Sequence, residues 1–361
     1  MRKLLFALAA MLSWTGVGAH DHDIVEIAAK VLPSVTYIEV ERYIEQHAIS
    51  LDNDDVDQQV IKRHVNISPI IGSGFVIEGN FVITNYHVIS YVLNHPESKI
   101  WVYFYNENDD VSIKYLATVV GYDEITDVAL LSIPGEHQGV ELCASGSIKI
   151  GSNVFSISNF YGIKFSVTTG IVSSTNRADT RFPYVSQLQL QIAAGSGSSG
   201  GPVFNELGQV ASMNHTVLSM DGNSSINNSM LSTVAFSIRS DVILSTIMRI
   251  EKQGGGAVEH PDLGVLLVSF GQSSRLYQDT NDGENIFDGL MVKSEDYGPN
   301  STPFEVGDII VELDGLSFSS PRLFFIYLDT QYKVGDSIKL LVYRNGRIIN
   351  MTMKLQAARR I

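Results

Sequence analysis

Hydrophobic and polar positions change rhythm several times along the chain. Ile24, Ile27, Ala28 and Val31 recur at the spacing of one helix face, and Pro33 ends that run. Residues 35–40 then read as a strand. Residues 43–66 are polar and acidic, with Asp52, Asp54, Asp55 and Asp57 close together, and read as a long mobile loop. From residue 71 to about 238, short runs rich in Val, Ile, Phe and Tyr alternate with Gly, Asn and Ser turns. Residues 74–77, 81–84, 100–105, 117–120, 128–133, 154–157 and 209–213 are examples. Many short strands with little helix predict an all-β barrel or sandwich. A helix is predicted over 241–251, with Ile243, Ile247 and Ile250 along one side. Residues 254–257 read as a Gly-rich flexible linker, and a smaller β-rich unit follows over 258–361.

The first 19 residues carry a different signal. Arg2 and Lys3 precede an apolar run over 4–14, shorter than the ~18 residues expected of a membrane span. Val17-Gly18-Ala19 then offers a small-residue cleavage site. The mature chain is expected to begin at His20, in the periplasm or outside the cell; the alternative is an uncleaved membrane anchor. The 361 residues carry a net charge of −14, which argues against a nucleic-acid partner and a polybasic membrane anchor. Cys143 is the sole cysteine, which excludes an internal disulfide and a four-cysteine zinc site. It reads as a small buried hydrophobe.

Candidate chemistry concentrates in residues 194–202, Ala-Gly-Ser-Gly-Ser-Ser-Gly-Gly-Pro. Gly195, Gly197 and Gly200 fit G-x-G-x-x-G, but a dinucleotide fingerprint must open a helix. Here Pro202-Val203-Phe204 leads to a turn and another strand. The segment also fits G-x-S-x-G, and the same missing helix counts against a nucleophile elbow, although His215 and His260 lie downstream. The third reading is a glycine-flanked nucleophilic serine in a β protein, the glycines letting successive N–H groups point at an oxyanion. Such a serine needs a base and a group that orients the base. His87 follows the strand 81–84 in Thr84-Asn85-Tyr86-His87-Val88. Asp127 stands at the mouth of an apolar strand in Thr126-Asp127-Val128-Ala129-Leu130-Leu131. The order His87, Asp127, Ser199 is that of chymotrypsin-type enzymes.

On these segments the chain resembles the HtrA/Deg serine proteases. Gly72-Ser73-Gly74-Phe75-Val76-Ile77, Thr169-Gly170-Ile171-Val172-Ser173-Ser174 and Val234-Ala235-Phe236-Ser237-Ile238 extend the match across nearly all of the mature chain. The resemblance implies a mostly β fold: a chymotrypsin-like double β-barrel over 20–253, followed by a PDZ domain over 258–361. It implies Ser199 as nucleophile, His87 as general base and acid, Asp127 as orienting group, and the amides of Gly197 and Ser199 as oxyanion hole. Gly195-Ser196-Gly197-Ser198 stands where the family has Asn-Pro-Gly-Asn, which predicts a more flexible loop. Ala193, six residues before the serine, is expected to floor the P1 pocket. An uncharged floor disfavours Arg and Lys and favours small or medium aliphatic residues. Leu263-Gly264-Val265-Leu266 is expected to form the carboxylate-binding loop and peptide-accepting edge of the PDZ unit. The polar insertion 271–285 and the turn 297–304 depart from the PDZ pattern. The implied function is ATP-independent periplasmic or secreted proteolysis of unfolded or misfolded polypeptides, without cofactor or metal, in a homotrimer or higher oligomer. Two other readings stand: a regulatory protease that cuts one partner after sensing a C-terminal peptide, and a low-activity chaperone or peptide-binding scaffold.

Overall fold

The structure, a computed structural model, describes residues 24–50, 59–106, 113–144, 146–178, 185–217, 232–271, 289–295 and 302–358. The targeting segment and its cleavage site after Ala19 lie outside the described residues, as do 272–285 and 297–301.

After helix α1 (Ile24–Val31), the chain builds a first barrel. Its strands are β1 (Val35–Ser50), β2 (Gln59–Glu78), β3 (Phe81–Thr84), β4 (Ile100–Phe104), β5 (Lys114–Asp123) and β6 (Val128–Ser132), with α2 (Tyr86–Asn94) between β3 and β4. They run in the order β5-β4-β1-β2-β3-β6, and β6 closes the barrel on β5. Ile38, Val40, Val76, Val102 and Leu131 fill it. The segment 43–66, expected to be a mobile loop, is instead mostly the two arms of a long hairpin, paired from Val35↔Phe75 out to Ser50↔Gln59. A ladder of backbone hydrogen bonds does not require apolar side chains, so polarity concealed these strands. The acidic cluster at Asp52, Asp54, Asp55 and Asp57 lies outside the described residues.

The second barrel comprises β7 (Asn153–Phe160), β8 (Ile163–Ala178), β9 (Ser186–Ala194), β10 (Pro202–Phe204), β11 (Val210–Val217) and β12 (Ser232–Arg239), closed in the order β10-β11-β12-β9-β8-β7. Phe75 and Ile83 from the first barrel pack with Phe155, Phe204 and Met213 from the second in one core, which joins the barrels. The predicted late helix is α3 (Ser240–Gln253), and its Ile243, Ile247 and Ile250 enter that core. The glycines that read as a linker are built into the fold. Gly254 caps α3, its amide donating to Glu251 and Ile250 carbonyls, and β13 (Gly256–Ala257) lies parallel to β5.

The remaining chain forms a β-sheet domain consistent with PDZ: β14 (Pro261–Asp262), β15 (Val265–Phe270), β16 (Gly289–Glu295), β17 (Ile309–Leu313), α4 (Pro321–Gln331), β18 (Ser337–Arg344), β19 (Arg347–Lys354) and β20 (Gln356–Ala357). Strands β15 to β19 make one sheet in sequence order, with β15 at its edge, and β14 pairs with β20. Leu263, Leu290, Phe324, Leu328 and Leu340 belong to its separate core.

A polar cluster joins this domain to the barrels. His260 is bonded through Nε2 to Asp123 Oδ2 on β5 (2.8 Å) and through Nδ1 to Asp329 Oδ1 on α4 (2.9 Å). Arg249 of α3 pairs with the same Asp329. Burial alone would push the imidazole down. Hydrogen bonds to Asp123 and Asp329, and their charges, outweigh it and lift His260 from 6.5 to about 9. A raised folded value means the stabilisation is complete below about 6.5 and is lost as pH climbs through about 9. The melting temperature is therefore expected to fall between pH 7 and pH 9.5 by several degrees more in the native chain than in a His260→Gln variant. Parallel melting curves for the two proteins would show the cluster to be inert.

Candidate active site

Asp127 is the keystone of the site, and its backbone explains why. It sits at φ 56°, a left-handed conformation that Asp tolerates better than most side chains. The turn is shaped from within by Asp123, whose Oδ1 accepts the amides of Ile125 (2.9 Å) and Thr126 (3.2 Å). From outside it is held by the start of α2. The Asp127 carbonyl accepts the Tyr86 amide (3.1 Å) and the Asn85 side-chain amide (3.0 Å), and Oδ1 accepts the His87 amide (2.9 Å). Amides in the first turn of a helix lack intrahelical partners, so Asp127 serves as a cap supplied from another strand. This places the His87 ring: Nδ1 lies 2.6 Å from Asp127 Oδ2. Asp127 is 1% exposed, whereas the His87 side chain is 36% exposed and can reach a substrate.

Burial by itself would raise the Asp127 carboxyl. The charge of His87, hydrogen bonds from His215 and His87, and the charge of His215 outweigh it and hold the group well below the usual carboxylate range. These contacts favour the Asp127 anion, the state that fixes the His87 tautomer with the proton on Nδ1.

Ser199 lies on the turn between β9 and β10, half-buried. Its carbonyl accepts the Ser73 amide (2.8 Å), and the next amide, Gly200, donates to Asn214 (3.0 Å). Two positions admit only glycine. A Cβ on Gly197 (φ 87°) would lie 2.2 Å from the Asn159 carbonyl oxygen, and one on Gly200 (φ 84°) 2.1 Å from that of Ser73. This close approach sets the serine against the Ser73 and Thr84-Asn85 backbone that leads into His87. The glycine-rich run, expected to be more flexible than its counterparts, is pinned here. Tyr161 donates to the Ser196 carbonyl (2.7 Å), Ser73 Oγ to the Gly197 carbonyl (2.8 Å), and Ser198 Oγ to the Gly195 carbonyl (2.6 Å). The amides of Gly197 and Ser199 donate to no acceptor among the described residues, which leaves both available to an oxyanion.

One member of the cluster was weighed in the sequence only as a downstream histidine. His215 Nε2 lies 3.2 Å from the same Asp127 Oδ2, and its Nδ1 is 2.8 Å from Gln187 Nε2. A signal for it exists: Ser212, Asn214 and Thr216 alternate with Met213 and Val217, and His215 stands where that alternation calls for an apolar residue, while the β11–β12 register shifts between Asn214 and Thr216. His87, Asp127 and His215 place three potential metal-ligand atoms within 4.8 Å of one another. The 2.6 Å between Nδ1 and Oδ2 is a hydrogen-bond distance, shorter than the roughly 3.3 Å separating two ligands on a tetrahedral ion with ~2.0 Å bonds. The residues fit a proton-bonded cluster rather than a metal centre.

Ala193 is half-buried on β9, in the bulge between the pairs Ser232↔Ala194 and Val234↔Gln191, with Ile192 and Ala194 buried beside it. In the C-terminal domain, Leu263-Gly264 leads directly into the edge strand β15, which carries Val265 and Leu266. Asp262 Oδ1 accepts the Gly264 amide at 2.5 Å, so this amide of the expected carboxylate loop is already engaged. Cys143 is buried, as a small hydrophobe would be, and its Sγ lies 2.7 Å from Ser147 Oγ.

Two six-stranded barrels, with His87 and Asp127 hydrogen-bonded to each other in the first and Ser199 on the β9–β10 turn of the second, define a trypsin-like serine peptidase fold. The sequence profile of the trypsin-like peptidase domain matches residues 72–213, which contain all three side chains. The chain is 30% identical over 290 residues to a Halomonas elongata protein named "Probable periplasmic serine endoprotease DegP-like", covering 78% of this chain and 56% of that one. It is likewise 30% identical over 294 residues to "Serine protease Do-like HtrB" of Bacillus subtilis, covering 76% and 59%. The chain thus spans a little over half the length of these relatives. The solved structure of the HtrA-type protease AlgW with a decapeptide shares the fold, with a TM-score of 0.70 over 93% of this chain and 98% of that one at 22% identity. The serine endoprotease from Yersinia pestis does so with a TM-score of 0.63 over 95% and 100%, at 20% identity. The chain belongs to the HtrA/DegP family of trypsin-like serine proteases.

Proposed function

We propose that the protein is an ATP-independent serine endopeptidase of the periplasm or the cell exterior, acting on unfolded or misfolded polypeptides. The observation that carries this reading is the buried Asp127 hydrogen-bonded to Nδ1 of His87, in one domain with Ser199 on a loop where the Gly197 and Ser199 amides have no acceptor among the described residues. His87 Nε2 takes the Ser199 proton as Oγ attacks the scissile carbonyl. The Gly197 and Ser199 amides stabilise the oxyanion, and His87 returns the proton to the leaving amine. Water, activated by the same imidazole, then hydrolyses the acyl-enzyme. Asp127 stays ionised throughout and stabilises the imidazolium.

The family resemblance supports periplasmic placement and assembly as a trimer. The pocket reading gives a test that also checks the activity. A fluorophosphonate is expected to label the purified protein at Ser199, and fragments of unfolded casein are expected to end mainly in Val, Ala or Ile. Label at another residue, or cuts chiefly after Lys and Arg, would refute the reading.

The C-terminal domain is proposed to take an extended peptide along β15, its C-terminal carboxylate held by the Leu263-Gly264 amides. Asp262 already accepts the Gly264 amide, so its carboxyl competes with a ligand carboxylate for that donor. An Asp262→Asn variant is therefore expected to bind a hydrophobic C-terminal peptide several-fold more tightly by fluorescence anisotropy. Binding unchanged or weakened would place the peptide elsewhere.

A further inference from the structure

The mechanism above leaves unused a buried titratable side chain that touches Asp127. His215 is the extra residue of a β-bulge: Asn214 pairs with Ser237 and Thr216 with Phe236, and the register shifts between them. Bulges re-aim side chains, and this one turns an imidazole inward to the rear of Asp127. Two histidines therefore share one carboxylate oxygen. Oδ2 faces His87 Nδ1 at 2.6 Å and His215 Nε2 at 3.2 Å, while Oδ1 takes the His87 amide. The imidazole rings stand 6.2 Å apart between centroids.

The far side of His215 sets its tautomer. Gln187 Nε2 donates to Nδ1, which leaves the ring proton on Nε2, pointing at Asp127. Among the described residues, Gln187 Oε1 meanwhile has no hydrogen-bond partner, though it is buried. Turning that amide over would offer an acceptor to a protonated Nδ1, so the pocket accommodates either charge state of the ring. Asp127 from the 123–127 turn, His87 from α2 and the neutral Gln187 from β9 all face His215.

We infer that His215 is a positioning residue: through its Nε2–H it clamps the Asp127 carboxylate and restrains how strongly that carboxylate holds a proton on His87. The sign follows from either charge state. A neutral N–H donor draws charge density off Oδ2 and weakens its hold on the imidazolium of His87. A protonated His215 does the same and also repels that imidazolium. Removing the ring therefore favours protonated His87 and moves the acid limb of activity to higher pH. His215 so extends proteolysis toward acid conditions, at no contact with the substrate.

This inference rests on the proposed catalytic roles, and its test separates the two. Cleavage of a small chromogenic peptide is measured from pH 5 to 9 in the native protein, His215→Phe and His215→Gln, with rates divided by fluorophosphonate-titrated sites. In His215→Phe, kcat is expected to fall about tenfold or more with KM little changed, the magnitude of losing one hydrogen bond to a charged group. Its acid limb is expected to rise by about half a pH unit or more. In His215→Gln, whose amide can still donate to Oδ2, much of the loss should be recovered. A smaller number of titratable sites with an unshifted acid limb, or a limb moved downward, would overturn the inference. Independently of catalysis, the His87 ring resonances are titrated by NMR in a Ser199→Ala background, with and without His215→Phe. An upward shift of the midpoint supports the coupling even if the proteolytic reading fails, and an unmoved midpoint refutes it.

Discussion

Replacing Ser199 by alanine is expected to lower kcat/KM for casein-derived peptides by about 10⁴-fold or more, to the limit of detection, and to abolish fluorophosphonate labelling. The fold should be untouched. The Ser199 contacts that shape the loop are made by its backbone, the carbonyl receiving the Ser73 amide. The bonds that hold the loop come from Ser73, Tyr161 and Ser198, not from the Ser199 hydroxyl. A melting temperature equal to that of the native protein, with activity gone, is the expected pair of results. Retained cleavage in this variant would remove Ser199 from the mechanism and with it the acyl-enzyme.

Asp127→Asn is expected to cost about 10⁴-fold in kcat at neutral pH, nearly as much, although only one atom changes. The carboxylate accepts the His87 amide on Oδ1, and faces His87 Nδ1 and His215 Nε2 with Oδ2. An amide has a single oxygen. Placed on Oδ2, that oxygen leaves an NH2 facing the His87 amide at the start of α2. Placed on Oδ1, the NH2 faces two ring nitrogens and forces His87 to accept at Nδ1, which moves the ring proton to the nitrogen that must receive it from Ser199. The carboxyl of the native protein is held well below the usual range, so its own titration does not define the acid limb of activity. An Asp127→Asn enzyme with more than about a tenth of native kcat would show that the tautomer is fixed by something other than Asp127.

The chemistry was legible where a short motif carries its own physical reason. Glycine before and after Ser199 is required by backbone approaches as close as 2.1–2.2 Å to an added Cβ, and such a requirement leaves a mark in sequence. The α3 isoleucines showed the same directness, since helical period and burial are one constraint. Two readings failed for the opposite reason. Residues 43–66 looked like loop because their side chains are polar, yet ladder pairing is a property of the backbone. The glycines after Gln253 looked like a flexible linker, yet a left-handed helix cap and a two-residue parallel strand make the same demand for glycine.

By itself the sequence determined the class of fold and singled out His87, Asp127 and Ser199, in that order, as the candidate catalytic residues, because local strand, turn and helix signals surround each of them. Only the tertiary structure decided how the three are held. Asp127 caps a helix 40 positions before it, Ser73 holds the loop 124 residues later, and His215 reaches Asp127 through a bulge whose register depends on its pairing with β12. His260 likewise meets Asp123 across 137 positions of chain. These are contacts between segments that share no local pattern. Their distances and charges arise only when the two barrels close and the C-terminal domain docks, so no window of sequence contains them.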